Sequence, residues 1–210
     1  MKDICKTDIF KLGLCIGAEF TSDFEMPVIE ACDTVPECAF VAYDKIALDG
    51  MERYGIHFFN EDYKIHSAYT YPERTFERLK KHPFVIGLDL SIQDGMPLAL
   101  KWSNSFKNKL VSAWWQRMGL NVVPNVAICD DSTAEMCLNG YPENSVIAIN
   151  SMGSHRYYGG EKRFRWCYDK IVERLNPKHI LRYGAMYPWE DDSKSTQMPN
   201  SNIILRDKLR

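Results

Sequence analysis

Apolar residues along the chain fall into short runs separated by longer amphipathic stretches. Ala39–Ile46 (AFVAYDKI), Gly55–Phe59 (GIHFF), Phe84–Leu90 (FVIGLDL), Asn121–Ile128 (NVVPNVAI), Ser145–Asn150 (SVIAIN) and His179–Tyr183 (HILRY) are five to eight residues long. That length, with β-branched and aromatic enrichment, predicts strands. Pro124 inside the fourth run removes one ladder bond and implies a bulge or an edge there. Between the runs the period becomes helical. Pro72 opens one helix, with Phe76 and Leu79 inward. Asp131 or Ser132 caps a short one that ends near Asn139–Gly140. Phe164, Cys167, Tyr168, Ile171, Val172 and Leu175 share a face of another, which Pro177 ends. Strands that are apolar throughout are buried on both faces, as in parallel sheets. Alternation with helices gives an α/β class. The expectation is a mainly parallel six-stranded sheet, in a small or incomplete (β/α) barrel favoured over an open doubly wound sheet. Six strands fall short of the eight of a full barrel. Both architectures put ligands beyond the C-terminal ends of the strands.

The longest helical stretch organises the rest. It begins at Pro97, where a missing N–H costs nothing, and stops at Gly119. At 100° per residue Leu98, Ala99, Trp102, Phe106, Leu110 and Ala113 share one face, and Leu100, Val111, Trp114, Trp115 and Met118 cover the other. A helix apolar on both sides is packed on both sides. Only Lys101, Ser105, Asn108, Lys109, Ser112 and Gln116 form a polar stripe. Solvent exposure is the first reading of that stripe. The second is that it lines a site, with Asn104 and Lys107 beside it. Residues 1–38 are irregular and read as a segment wrapped around a single α/β domain, 1–187. The polar stretch 188–210 reads as a loosely held extension.

The totals narrow the function. With 210 residues, 45% apolar and 26% charged, the chain can bury one sizeable core. A formal net charge of −2 provides no global basic field, so any anion site is local. No run of about 18 apolar residues occurs, and no membrane partner is expected. The opening MKDICKTDIFKLG lacks the apolar centre of a secretory signal, and the expected setting is cytoplasmic. The seven cysteines include no CxxC pair and are not followed by paired histidines, so neither a metal nor a cofactor is expected. Signatures of P-loop, dinucleotide, α/β-hydrolase and zincin enzymes are missing.

Several phrases resemble one family. They are Met26–Pro27 with Val35–Pro36, HFF at His57–Phe59, the LDLS…MPLAL run, WSNSFKNKLVSAWWQRMGLNVVPNV, the SVIAIN-to-MGS stretch and LNPKHILRYG. Together, over Met26–Gly184, they resemble the domain-of-unknown-function family numbered 4417, of bacteria, their phages and mobile elements. The family's central helix resembles W-N-x-Y-R-N-R. Here Trp102, Asn104, Phe106, Lys107, Asn108 and Lys109 occupy those places, with lysine for both arginines and phenylalanine for tyrosine. Lysine offers a point charge instead of a fork. The resemblance implies a phage or mobile-element setting and hence the host cytoplasm. It implies no activity.

Candidate chemistry lies at the strand ends. Asp89 directly follows a buried strand and is the candidate acid or base, unless it only turns the connection. His57, alone in its strand, reads as a wall residue and not as a catalyst. The loop Ser151–Gly160 carries three glycines. The helix after it opens with Lys162, Arg163 and Arg165, cations that an N-terminal dipole disfavours unless an anion sits there. The functional expectation is a phosphate-bearing ligand, a nucleotide or a nucleic-acid end. Asn104, Lys107, Asn108, Lys109, Asn125, Ser151, Arg156 and Lys162 would hold it. The alternative is a non-catalytic accessory protein that binds a host or phage protein through Tyr157, Tyr158 and Trp189.

Overall fold

The computed structural model describes residues 8–152, 154 and 159–208. Among the described residues are seven strands: β1 Phe40–Ala42, β2 Gly55–His57, β3 Val85–Ile86, β4 Val122–Val123, β5 Val146–Asn150, β6 His179–Tyr183 and β7 Ser195–Met198. The helices are α1 Asp62–Thr70, α2 Pro72–Leu79, α3 Leu98–Arg117, α4 Asp131–Leu138, α5 Gly160–Leu175 and α6 Ser201–Lys208. Every strand pair is parallel. The order is β1-β2-β3-β4 in one sheet and β5-β6-β7 in the other, so neighbours follow chain order without the reversal of a doubly wound sheet. The six-stranded sheet expected from sequence is therefore corrected to sheets of four and three strands. The seventh strand comes from the stretch read as a loose extension. Ser195–Met198 pairs with Ile180–Tyr183, and Met198 joins the core.

The two sheets meet at one parallel bridge, Asn125 to Ala148. Ala148 N–H donates to the carbonyl of Pro124 at 2.8 Å, and Val126 N–H donates to the carbonyl of Ala148 at 3.0 Å. Pro124 thus lies beside the seam, where its lack of an N–H is tolerated. One buried cluster draws on every strand or its immediate flank: Phe40, Phe59, Ile86, Val123, Val146, Ala148, Leu181, Tyr183 and Met198. Two further clusters pack helices on the outside. One holds Ile56, Val85, Leu110 and Trp115, the other Ile147, Ile180, Phe164 and Ile171. His57, fully buried, packs against Tyr183 with ring centroids 4.5 Å apart and the rings tilted by 45°. Its Nδ1 accepts from Phe59 N–H at 3.2 Å, so Nε2 carries the proton and donates to Ser201 Oγ at 3.0 Å. Burial pushes its pKa down to about 3, and it stays neutral. Ser201, at the start of α6, also accepts from Ala42 N–H of β1 at 2.9 Å. The C-terminal helix is thereby tied to the first strand.

α3 inverts the simplest reading of its polar stripe. Lys101, Ser105, Asn108, Lys109 and Ser112 are buried, whereas Leu98, Leu100 and Trp102 are 45%, 53% and 43% exposed. The stripe faces inward because the chain after β3 needs it. Leu88 N–H donates to Ser112 Oγ at 3.1 Å. Leu90 N–H donates to Asn108 Oδ1 at 2.8 Å, and Asn108 Nδ2 returns a bond to the carbonyl of Leu90 at 2.9 Å. Asn104 Nδ2 donates to the carbonyl of Ser91 at 2.8 Å. These side chains take the place of a neighbouring strand, which is why β3 ends at Ile86 although the apolar run continues to Leu90. Gln116 clamps Glu30 in the same way, accepting from its N–H and donating to its carbonyl, both at 2.9 Å. That bond and Arg117 to the carbonyl of Leu14 lay the N-terminal segment along α3. It includes a 3-10 turn at Leu12–Cys15.

Gly87 lets α3 come this close. A Cβ there would stand 2.7 Å from Ser112 Oγ and 3.3 Å from the Asn125 nitrogen. Gly87→Ala should therefore destabilise the protein by about 1–3 kcal/mol, read from the urea midpoint. A stability within about 0.5 kcal/mol of the parent would show that the contact yields freely.

Candidate ligand site at the strand ends

A cavity of about 210 Å³ opens where β4 and β5 part beyond their bridge. Its polar lining includes Asp89, which follows β3, Asn125, which follows β4, and Asn150, which ends β5. Ser91 and Gln93 stand nearer the connection to α3. Val126, Ile128, Ile149 and, from α5, Phe164 and Ile171 make the apolar walls. Three successive strands thus deliver a carboxyl group and two amides to one place, because the strands are parallel and unreversed.

Asn125 Nδ2 donates to Asp89 Oδ1 at 2.8 Å and to the carbonyl of Leu88 at 3.2 Å. Asn150 lines the same cavity, and its Oδ1 accepts from Met152 N–H at 2.7 Å. Loss of hydration raises the Asp89 pKa to about 6. The nearby amides of Asn125 and Asn150 work against that rise, and nearby Asp62 adds to it. Asp89 can thus hold or release a proton near neutral pH. Cys167 lines the same cavity but donates to the carbonyl of Ile128 at 3.3 Å. Burial pushes its thiol up to about 12, so it is no nucleophile. Arg163, in the first turn of α5, pairs with Asp94, which precedes α3, at 2.7 Å.

Of the residues expected at the site, the structure gathers Asp89 and Asn125, with Ser151 adjacent. Ser151 Oγ is spent on the carbonyls of Tyr183 and Ala185 at 3.3 and 3.2 Å. The amides of Asn104 and Asn108 hold the chain after β3, as described above. Lys109 is fully buried, donates to Ser105 Oγ at 2.7 Å and lies over the Tyr141 ring. Lys107 stands over the Tyr69 ring, 5.2 Å from its centroid. Lys101 of the stripe pairs with Asp130, whose carboxyl group that ammonium holds far below the usual range. Lys162 is exposed in the first turn of α5. Arg156, Tyr157 and Tyr158 lie outside the described residues. Trp189 is no exposed anchor, since it stacks on Tyr187 with centroids 5.3 Å apart and donates to Glu161.

Sequence reasoning passed over the ion pair of Arg182 and Glu190, both fully buried at the side chain. Arg182 also donates to the carbonyl of Ile149 at 3.1 Å and covers the Phe164 ring, so it braces two cavity walls. The available signal was an arginine inside the otherwise apolar HILRY. Among the described residues no group of three or more His, Cys, Asp or Glu is placed to hold a metal ion. None of the described helices is long and apolar enough to cross a membrane.

Fold and cavity define a parallel α/β protein with a polar pocket at its strand ends. The chain belongs to the family described as "Domain of unknown function (DUF4417)", whose model matches residues 18–200. It is 29% identical over 187 residues to the Gene 1 protein of Mycobacterium phage L5, covering 86% of this chain and 80% of that protein. It is also 29% identical over 136 residues to the Gene 1 protein of Mycobacterium phage D29, covering 65% of this chain and 50% of that protein. No solved structure matches it.

Proposed function

We propose that this member of a phage-associated family binds a nucleotide or a nucleic-acid end in the cavity between β4 and β5, with the base inward and the phosphate at the mouth. The carrying observation is the convergence of Asp89, Asn125 and Asn150 on one cavity. In this reading the seven strands form an incomplete (β/α) barrel. Its interior is the cluster shared by all strands, and α6 stands where closure would need another strand. A site beyond the C-terminal ends of the strands is the rule for such folds. The phosphate would lie toward Lys162 and Arg163 of α5, displacing Asp94 from Arg163. The setting would be the host cytoplasm. Asp89 would act on the ligand as acid or base, or only orient it.

The experiment is a thermal-shift panel with nucleoside monophosphates, ribose 5-phosphate and inorganic phosphate, on the parent chain and on Asp89→Ala. A nucleotide at 100 times its dissociation constant should stabilise the parent by about 2.7 kcal/mol, and the variant should lose the effect. No shift with any of them would sink this reading. It would favour an accessory protein that docks on a partner, for which the exposed Leu98, Leu100 and Trp102 of α3 speak.

A further inference from the structure

A second cavity, of about 440 Å³, opens beside the first, at the ends of β6 and β7. The first is lined by Asn125, which follows β4, and by Asn150, which ends β5. The second is lined by Tyr183 and Met198, the last residues of β6 and β7. In the strand register Asn150 stands opposite Tyr183, and Tyr183 opposite Met198. The strand pairs beneath the two cavities are therefore two strand spacings apart, about 10 Å. Met152 lines both cavities and is 52% exposed. The chain there is held as a ridge. Ser151 N–H and Ser151 Oγ both donate to the carbonyl of Tyr183, at 2.8 and 3.3 Å. Gly184 lets the ridge lie on the end of β6, since a Cβ there would stand 2.5 Å from Ser151 Oγ and 3.3 Å from Met152 N. None of the described residues that line the second cavity is charged. Met152, Ala185, Met198, Pro199 and Ile203 make its walls apolar. Gln197 Nε2 donates to the carbonyl of Gly184 at 3.2 Å, and Asn200 Oδ1 accepts from Asn202 N–H at 2.9 Å. Gln197 is exposed and Asn200 half-buried. Oε1 of the one and Nδ2 of the other take no partner among the described residues. An acceptor and a donor beside apolar walls suit a flat, uncharged ring that carries both kinds of group.

We infer that the protein takes two consecutive units of a single-stranded nucleic-acid end, one base in the β4–β5 cavity and its neighbour in the β6–β7 cavity, with the sugar–phosphate link crossing Met152. This rests on the nucleotide reading above and adds a second subsite to it. A lone nucleotide fills one cavity and leaves the other to water. Neighbouring bases of a single strand reach both when they are splayed apart. A duplex keeps its bases stacked and offers neither. Met152, unbranched and polarisable, gives the link an adaptable surface to lie on.

The test is calorimetric titration of the full chain with AMP, the dinucleotide pApA and the tetranucleotide pApApApA. It is run on the parent and on Ile203→Asp, a change at a side chain 47% exposed that lines only the second cavity. The dinucleotide should bind the parent about tenfold or more tightly than AMP, because its second unit enters as part of a molecule already held. The tetranucleotide should stay within about threefold of the dinucleotide, since two units fill both cavities. Ile203→Asp should remove the advantage of pApA and leave AMP binding unchanged. Equal affinity for AMP and pApA, or an Ile203→Asp that leaves pApA binding unchanged, would overturn the inference and leave the nucleotide reading standing. So would a further gain of about tenfold from pApA to pApApApA, the mark of a charged groove that tracks a backbone. Binding of none of the three would end both and leave the cavities to a polypeptide. If Ile203→Asp does not fold, Gln197→Leu on the exposed rim of the same cavity replaces it, with the same pattern expected.

Discussion

Arg182→Met should unfold the protein about 3–5 kcal/mol more easily than the parent, and Glu190→Gln should approach the same loss. The guanidinium has no access to solvent. Its Nε and Nη2 reach the two carboxylate oxygens of Glu190, Nη1 reaches the carbonyl of Ile149 at 3.1 Å, and Nη2 reaches that of Ala185 at 3.5 Å. Glu190 in turn accepts from Tyr187 N–H at 2.9 Å. Removing either partner leaves the other charge dry and unmatched. Removing both removes that penalty, so Arg182→Met with Glu190→Leu should recover most of the single-variant loss. Urea titrations of the three variants make the double-mutant cycle. Additive losses would show that the two side chains act separately.

Lys109→Met should act in the opposite direction, raising stability by about 2–4 kcal/mol at pH 6. The ammonium is fully buried with one hydroxyl and an aromatic face for company. Burial brings its pKa from 10.5 down to about 7. Between pH 7 and 10.5 the unfolded chain holds a proton that the folded chain has shed, so parent stability rises with pH across that window. The gain from methionine should therefore be largest at and below pH 7 and fade toward 10.5. Chemical denaturation at pH 6, 8 and 10 measures it. A gain that does not change with pH would place the effect in packing alone.

Much of the fold is legible in the sequence where local pattern and tertiary demand agree. SVIAIN and HILRY are strands within a residue of their expected bounds, and the 3.6-residue period of α5 runs to Leu175. Elsewhere a partner distant in sequence decides. FVIGLDL is a strand only at Val85–Ile86, because side chains of α3 claim its continuation. The polar stripe is buried for the same reason, and no periodicity reveals which backbone a polar face will serve. Ser195–Met198 has little strand propensity and becomes β7 because β6 offers an unpaired edge. α1 escapes notice because DYKIHSAYT carries few apolar positions, although Ile65, Ala68 and Tyr69 suffice to bury it. At the site, Asp89 and Asn125 are readable as strand-end residues. Where the asparagines and lysines of α3 sit is not readable, because amides and ammonium groups suit a ligand and a neighbouring backbone equally well.

The clamp between α3 and the chain after β3 bears on how this family can vary. A strand end secured by a backbone ladder moves only when the chain is lengthened or shortened. Here the position of Asp89 depends on Asn104, Asn108 and Ser112, each replaceable by a single codon change. The pocket floor can therefore be re-aimed by substitution on a helix while the strands stay in register.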